Sequence, residues 1–459
     1  MGSDRSCGSR LLRAGLSSVL AALVTASAAV SPAAAAPGDV DTSFSGDGKV
    51  TIPLQYGVLS QFVDSSGRIW AAGPAAGKGS MGGIGVARLR TDGSLDTSFS
   101  GDGSAVYDLS RSPDEYVFPD ALRIAPRPGG RAVVAVAVTR LKLDEGDEGE
   151  VGYGVSLVGI NPSGSIDRTF GDSGIVFVEE PYPAYTSIVA FGTTGDGSIR
   201  LATLAVRENT DSAVTVIRHL RPNGTPDRSF SGDGRATAPA VRALDGAFTD
   251  DGRVVVTFVS GGVDTNTLAV GRFRAGGGWD KTFSGDGRVL VEKHYLSGNL
   301  MSPFGMLFGI FGGYADVAID GTGRPVVAFK GGTGVAGVVR YRVDGTRDTT
   351  FSGDGRAPVD GGRAEGIVVC TDAFDRPVVA TWEWRLEGGG GDWVVRRFTN
   401  TGAADASFSG DGRASVPGGV YGHISTLSAR SGRILLGGAA APPDGGMSDT
   451  KATLVRFSG

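Results

Sequence analysis

The sequence repeats one short motif seven times, and this repetition restricts the possible folds more than any other feature. The motif first reads DTSFSGDG, from Asp41 to Gly48, and its phenylalanine recurs at intervals of 53 to 71 residues. A period near 60 residues predicts a tandem-repeat architecture. The seven motif phenylalanines are Phe44, Phe99, Phe170, Phe230, Phe283, Phe351 and Phe408.

Each repeat contains the same series of β-strand signals. A short strand such as KVTI (Lys49 to Ile52) follows the motif. A glycine turn between two β-prone runs, as in DSSGRIWAAG from Asp64, predicts a hairpin. A further run such as IGVARLR (Ile84 to Arg90) precedes the next motif. Because no long stretch has a helical period, the sequence predicts an all-β fold with four strands per repeat.

The two ends of the repeat array favour a closed ring over an open solenoid. The array opens on the motif and stops at ATLVRFSG (Ala452 to Gly459), the run that elsewhere precedes the motif. An open solenoid needs polar capping repeats, whereas a ring does not. We therefore predict a seven-bladed β-propeller of four-stranded antiparallel blades. The repeats begin at Asp41, Asp96, Asp167, Asp227, Asp280, Asp348 and Asp405.

These motifs resemble the bacterial delta-60 repeat family. The resemblance rests on the run D-x-[ST]-F-S-G-D-G, its G-x-x-D approach and the D-x-x-G-[RK] hairpin, and it extends over residues 37–459. The third repeat departs from the pattern by reading DRTFGDSG from Asp167 to Gly174. The resemblance implies a propeller-like repeat and no particular activity.

Residues 1–36 have the pattern of a secretory signal peptide. Three arginines precede an apolar stretch from Ala14 to about Val30, and a run of alanines ends at Ala36. No later segment approaches the ~20 apolar residues of a membrane span. We therefore expect a secreted, extracellular protein that does not span the membrane, with one propeller domain over residues 37–459.

Composition excludes two further classes. The formal net charge of −5 argues against a nucleic-acid partner. Of the two cysteines, Cys7 lies in the predicted leader, and Cys370 then has no partner within the chain. We expect a monomer whose stability does not depend on disulfides.

A structural role is the favoured interpretation of the motif. The first aspartate precedes a Ser or Thr by two residues, which is typical of an Asx turn. The phenylalanine is then expected to point inwards, where burial of each ring contributes about 1.5–3 kcal/mol. The motif is thus interpreted as the connector that sets the angle between blades. We also predict that its second aspartate, for example Asp286, pairs with a hairpin arginine such as Arg253.

Calcium binding is the alternative interpretation of the same motif. The side chains of Asp41, Ser43 and Ser45 fall at positions 1, 3 and 5 of a D-x-[DNS]-x-[DNS]-G loop, a spacing that can surround a cation. Phe44 interrupts this loop, and Ile52 stands where a bidentate glutamate is expected. We therefore expect no cofactor or metal, with calcium as the alternative.

No catalytic group stands out in the sequence. The three histidines, His219, His294 and His423, lack metal-ligand spacing, and no G-x-S-x-G motif is present. His219 occupies a position that holds an arginine, such as Arg88, in other repeats, and is interpreted as a structural replacement. A unique site is expected where the repeat is broken.

Two segments break the repeat. The acidic run Asp144 to Glu150 is interpreted as a solvated loop, with weak binding of cations or a basic partner as the alternative. The apolar insertion His294 to Tyr314 either packs on the propeller or forms a docking patch. The residues predicted to contact a ligand or partner are Met301, Phe304, Met306, Leu307, Phe308 and Phe311.

Three functional hypotheses follow. The first is a non-enzymatic binding scaffold for a protein or glycan, at the cell surface or outside the cell. The second is a lyase or hydrolase acting on polysaccharide, which requires non-repeated carboxylates to converge near an Arg or His. The third is a structural repeat stiffened by calcium.

Overall fold

β-strands account for all the regular structure that the computed structural model describes. The described residues are 35–55, 57–75, 82–110, 115–142, 150–181, 185–206, 213–239, 241–260, 267–293, 315–331, 336–359, 364–385, 389–419, 422–442, 445 and 449–459. Within these ranges the chain forms 28 strands in seven four-stranded antiparallel sheets. No helix in this part of the chain has the length and apolarity needed to cross a bilayer.

The strands follow one another blade by blade. Blade 1 contains β2 (Ser60–Val63), β3 (Ile69–Ala75), β4 (Gly83–Leu89) and β5 (Ser104–Asp108). Blade 2 contains β6 (Glu115–Arg127), β7 (Arg131–Lys142), β8 (Glu150–Ile160) and β9 (Ile175–Glu179). Blade 3 contains β10 (Tyr185–Thr193), β11 (Ile199–Val206), β12 (Ala213–Leu220) and β13 (Arg235–Ala238). Blade 4 contains β14 (Arg242–Phe248), β15 (Val254–Ser260), β16 (Thr267–Phe273) and β17 (Arg288–Glu292).

The remaining blades repeat this order and then close the ring. Blade 5 contains β18 (Ala315–Ile319), β19 (Pro325–Lys330), β20 (Ala336–Arg340) and β21 (Arg356–Val359). Blade 6 contains β22 (Ala364–Thr371), β23 (Pro377–Trp384), β24 (Gly391–Arg397) and β25 (Arg413–Gly419). Blade 7 contains β26 (His423–Arg430), β27 (Arg433–Ala440), β28 (Lys451–Ser458) and, from the start of the chain, β1 (Lys49–Thr51).

The first and last strands of the chain pair with each other. Val50 lies opposite Leu454, and Arg456 donates its backbone N–H to Gly48 O at 2.9 Å. The first strand of every blade packs against the first strands of both neighbouring blades, and β26 returns to β2. The prediction of a seven-bladed propeller is therefore confirmed.

The predicted position of the motif between blades is wrong. The motif from Asp96 to Gly103 connects β4 to β5 within one sheet, and the other motifs occupy the same place. Each sequence repeat is therefore offset from a blade by one strand. The offset arises because β1 completes blade 7, so that every blade begins at its hairpin rather than at its motif.

The ring has two different faces. The motif face carries the motifs and the turns between the first and second strands, such as Asp64 to Gly67. The insertion face carries the strand ends that flank the repeat-breaking segments, including Lys142 and Glu150 on one side and Glu292 and Ala315 on another. Residues 143–149 and 294–314 themselves lie outside the described residues.

Apolar side chains fill the seams between adjacent blades. Phe99 of blade 1, for example, packs in one cluster with Trp70 of the same blade and with Val134 and Ile160 of blade 2. Six of the seven motif phenylalanines are fully buried, whereas Phe230 is half-buried. The motif thus contributes to the contact between blades although it lies within one.

Closure of the ring by β1 predicts unequal effects of one substitution at two equivalent positions. Val50→Pro in β1 is expected to lower the free energy of unfolding by about 2 kcal/mol more than Val289→Pro in β17. The proline breaks the pairing that joins the chain ends in the first case and frays an outer strand in the second. Urea unfolding of both variants measures this difference, and equal losses would contradict closure by β1.

Candidate functional site

The first aspartate of each motif forms the predicted Asx turn. Asp41 Oδ1 accepts the backbone N–H of Ser43 at 3.1 Å, and the other six motifs have the same bond. The serine after the phenylalanine has a positive φ, which is 54° at Ser45. In the divergent third motif Gly171 takes this conformation with φ 57°. The glycine therefore preserves the turn where the motif sequence changes.

A buried arginine connects the motif to the next blade. Arg340 Nε lies 2.8 Å from Asp348 Oδ2, and its guanidinium carbon lies 4.7 Å from the centroid of Phe351. Arg340 Nη2 also donates to the carbonyl oxygen of Asn400 in blade 6 at 2.8 Å. Equivalent arginines bind the motif aspartate and phenylalanine in blades 1, 4, 6 and 7. They are Arg88, Arg272, Arg397 and Arg456.

The two blades that lack this arginine replace it in different ways. In blade 2 the position is Gly159, and Arg127 from the first strand approaches instead. Arg127 binds Asp167 at 3.1 Å and donates to the carbonyl oxygen of Pro222 in blade 3 at 2.7 Å. In blade 3 His219 stacks on Phe230 with ring centroids 3.8 Å apart. This arrangement agrees with the interpretation of His219 as a structural replacement.

The predicted pairing of the second motif aspartate with the hairpin arginine is wrong. Asp286 Oδ1 instead accepts the backbone N–H of Arg288 at 2.9 Å, at the start of β17. The hairpin arginine faces the first motif aspartate, since Arg253 Nε lies 3.4 Å from Asp280 Oδ2. The motif and the hairpin turn lie at the same face, and this brings the first aspartate within reach of a second cation.

The motif carboxylates are held in their charged form. Burial alone would raise the pKa of Asp348, but hydrogen bonds from Thr350 and the charge of Arg340 outweigh burial and lower it. The pKa values of the other six first aspartates are also lowered. These groups therefore contribute stability above the ordinary aspartate pKa, and that contribution is lost as pH falls through the folded pKa.

The calcium interpretation concerns the same carboxylates. Asp41 Oδ1 accepts bonds from Ser43, and Asp41 Oδ2 lies 2.8 Å from Arg456 Nε. Among the described residues, no three or more His, Cys, Asp or Glu side chains form a group that fits a metal ion. Stiffening by calcium stays a proposal. It would require the motif carboxylates to give up their serine and arginine partners for the cation.

Seven side chains occupy one level of the inner strands and form what we name the channel ring. Each lies four residues before the residue that opens the hairpin turn, and opposite a small residue or threonine of the second strand. The channel ring consists of Ser60, Arg123, Ala190, Asp245, Asp316, Val368 and Thr426. Unlike the motif, this level differs from blade to blade.

Two carboxylates and a guanidinium meet in the channel ring. Val317 N lies 3.2 Å from Asp245 Oδ2 and 2.9 Å from Asp316 Oδ1, so both carboxyl groups approach the same donor. Asp316 Oδ2 also accepts the backbone N–H of Val369 in blade 6 at 2.6 Å. Arg123 Nη2 lies 3.6 Å from Asp245 Oδ1. Arg123 reaches blade 4 from blade 2 past Ala190, the small ring residue of blade 3.

The surroundings of Asp245 disfavour the charged form of its carboxyl group. Burial, the negative charge of Asp316 and a hydrogen bond between the two carboxyl groups raise the pKa of Asp245 well above its usual value. Arg123 partly opposes this shift. Asp245 is therefore harder to ionise in the folded protein than in the unfolded chain.

This geometry differs from that of a two-carboxylate glycosidase. Such enzymes hold their carboxyl groups about 5–10 Å apart to leave room for the sugar bond or a water molecule. Asp245 and Asp316 instead hydrogen bond to each other, and each also accepts a backbone N–H of the following blade. The pair is thus suited to joining blades 4, 5 and 6.

The remaining predicted site residues are distributed as follows. His423 is buried at the start of β26, where burial lowers its pKa to about 4. Cys370 lies on β22, and burial raises the pKa of its thiol. His294 lies outside the described residues, as do all six predicted contact residues. These six are Met301, Phe304, Met306, Leu307, Phe308 and Phe311.

The sequence interpretation missed the channel ring. Arg123, Asp245 and Asp316 are ordinary charged residues within β-prone runs, and nothing in their immediate sequence marks them. The signal that identifies them is positional, because each lies four residues before the hairpin turn of its blade. Aligning the seven repeats on that turn would have placed the three side chains at one level.

Comparison with known proteins supports the repeat and does not assign an activity. A family described as "Domain of unknown function (DUF5122) beta-propeller" matches residues 65–99. No curated protein sequence matches this chain.

Several solved structures are similar to this chain at low identity. Polysaccharide lyase Uly1 is 10% identical with a TM-score of 0.47, over 89% of this chain and 90% of the lyase. The K499G mutant of NanB sialidase from Streptococcus pneumoniae is 10% identical with a TM-score of 0.39, over 89% and 70%. The GH43 endo-arabinanase from Bacillus licheniformis is 11% identical with a TM-score of 0.29, over 59% and 92%. At these scores none of the three carries an argument about function.

The buried contact between Arg88 and Asp96 predicts a large loss of stability on truncation. Arg88→Met is expected to lower the free energy of unfolding by about 3–5 kcal/mol, because it leaves the buried Asp96 carboxylate without its cation. The matched control Arg90→Met removes an exposed arginine two residues away and is expected to cost less than about 0.5 kcal/mol. Denaturant unfolding measures both, and similar losses would contradict the role of the buried pair.

The channel-ring pair predicts a pH dependence opposite to that of the motif aspartates. Because the pKa of Asp245 is raised on folding, its contribution to stability falls as pH rises from about 4 through the folded pKa. Asp245→Asn removes the titrating group and is expected to flatten this decline in the unfolding temperature. Asp348→Asn, the control, is expected to lose stability chiefly above about pH 4. An unchanged decline in the Asp245→Asn variant would contradict the raised pKa of Asp245.

Proposed function

We propose that this chain is an exported, non-enzymatic propeller that binds a protein or glycan partner at its insertion face. One observation carries the proposal, namely that the strand ends flanking the two strongest breaks in the repeat lie at that face. The motif face, in contrast, repeats the same turn seven times. A rigid frame with one invariant and one variable face is typical of binding proteins, whose contact residues lie on loops of a fixed scaffold.

Export is supported by the pattern of residues 1–36, in which basic, apolar and small residues follow one another. The seams supply the rigidity that a scaffold needs. Four of the buried motif arginines also donate to a backbone carbonyl oxygen of the next blade, so movement of one blade would break charge-assisted hydrogen bonds at its neighbour. They are Arg88, Arg272, Arg340 and Arg456.

The second candidate is a lyase or hydrolase acting on polysaccharide. The observation that favours it is the approach of Asp245, Asp316 and Arg123 in the channel ring, since non-repeated carboxylates near an arginine are a requirement for such a site. Against it, the shared hydrogen bond leaves no room for a substrate between the carboxyl groups. We therefore rank binding above catalysis.

Replacing residues 297–313 with a Gly-Ser segment of equal length tests the binding proposal. We expect the variant to bind the surface fraction of the producing cells at least about tenfold more weakly, because apolar and aromatic anchors dominate most interfaces. We expect its unfolding temperature to stay unchanged. The control is an equal-length Gly-Ser replacement of residues 144–149, whose flanking strand ends Lys142 and Glu150 lie at the same face. Binding is measured by co-sedimentation of purified protein.

Two results would contradict the proposal. A lower unfolding temperature with unchanged binding would assign the insertion a packing role instead of a docking role. Release of oligosaccharide products by the unaltered protein, abolished by Asp245→Asn, would favour the enzyme.

A further inference from the structure

A groove of about 440 Å³ lies between the outer parts of blades 6 and 7, at the insertion face. Blade 7 contributes Lys49, Thr51 and Lys451, and blade 6 contributes Arg385 and Pro417. The groove depends on the closure of the ring, because Lys49 and Thr51 of β1 lie beside β28 only through the pairing of the chain ends.

Two lysine ammonium groups line this groove. Lys49 is half-buried, and burial lowers its pKa while the charge of Asp47 partly opposes the shift. Lys451 is exposed at the start of β28. Neither side chain has a hydrogen-bond or ion-pair partner among the residues that the structure describes, in a chain where most buried and half-buried arginines are paired. An unpaired, partly desolvated ammonium gains from an anionic ligand.

The third cation of the groove is already neutralised. Arg385 binds Asp392 through Nε at 3.0 Å and through Nη2. Its guanidinium fork is therefore not free for the bidentate recognition that phosphate groups favour. The two lysines act as point charges, a pattern that suits separate single charges along a polymer.

An exposed indole lies next in sequence to one of the groove residues. Trp384 immediately precedes Arg385, is 42% exposed, and rests against Trp382 with ring centroids 4.4 Å apart. Gly391 lies opposite Trp384 on the neighbouring strand, so no side chain from that position covers the indole. The two indoles meet edge to face, at an interplanar angle of 69°. An exposed indole held in this way can stack on the apolar face of a sugar ring.

From these contacts we propose that the groove between blades 6 and 7 binds the carboxylate groups of an acidic polysaccharide, with Lys49 and Lys451 as the charge partners and Trp384 as the stacking surface. This inference rests on the proposed binding function and names its ligand class. It concerns β1, β28 and β23, and does not involve the apolar insertion.

Binding of polygalacturonate oligomers to the full chain tests this inference, with calorimetry as the measurement. Lys49→Gln combined with Lys451→Gln is expected to weaken binding about tenfold and to reduce its salt dependence. The matched control, Arg228→Gln with Lys281→Gln, removes two exposed charges from the motif face and is expected to bind like the unaltered protein. Trp384→Ala is expected to weaken binding without changing the salt dependence.

Competition experiments identify which chemical group of the polymer the groove binds. Dextran, a neutral polymer, and inorganic phosphate at equal ionic strength are expected not to displace polygalacturonate. Unchanged affinity in the lysine double variant, or equal binding of dextran, would overturn the inference. If the unaltered protein binds the cell-surface fraction but not polygalacturonate, the ligand class is wrong and the proposed function stands. If it binds neither, both fail.

Discussion

The ring depends on one buried contact, the guanidinium held between a motif aspartate and a motif phenylalanine. Arg340 is 1% exposed and touches Asp348, Phe351 and the backbone of the next blade. Removing such a charge from water is costly, and the carboxylate, the ring face and a carbonyl oxygen together replace part of the lost hydration. This contact recurs in five of the seven blades, and Arg127 and His219 take its place in the other two.

The departures from the repeat show how strongly this contact is required. Where the arginine position holds Gly159, Arg127 reaches the same aspartate from another strand of the blade. Where it holds His219, stacking on Phe230 replaces the guanidinium, and that phenylalanine is less buried than its equivalents. Each seam therefore requires a cation or an aromatic ring beside the motif phenylalanine. The chain position that supplies this group can vary.

The sequence alone predicted seven blades with four strands each, because the motif and the hairpin glycines recur in every repeat. It did not predict the offset of repeat and blade, since a motif between β4 and β5 and a motif between two blades leave the same linear pattern. It also missed Asp245, Asp316 and Arg123, which are brought together only by closure of the ring. Contacts between distant repeats leave no local signature.

The pairing of β1 with β28 has a consequence for how the molecule matures. Until Lys451 to Ser458 has been synthesised, the first strand has no partner and blade 7 has an open edge. The joining residues are about 400 positions apart, so loop closure over nearly the whole chain precedes this contact. An unfinished or truncated chain would present unpaired strand edges to other copies, and assembly of the ring thus competes with intermolecular strand pairing.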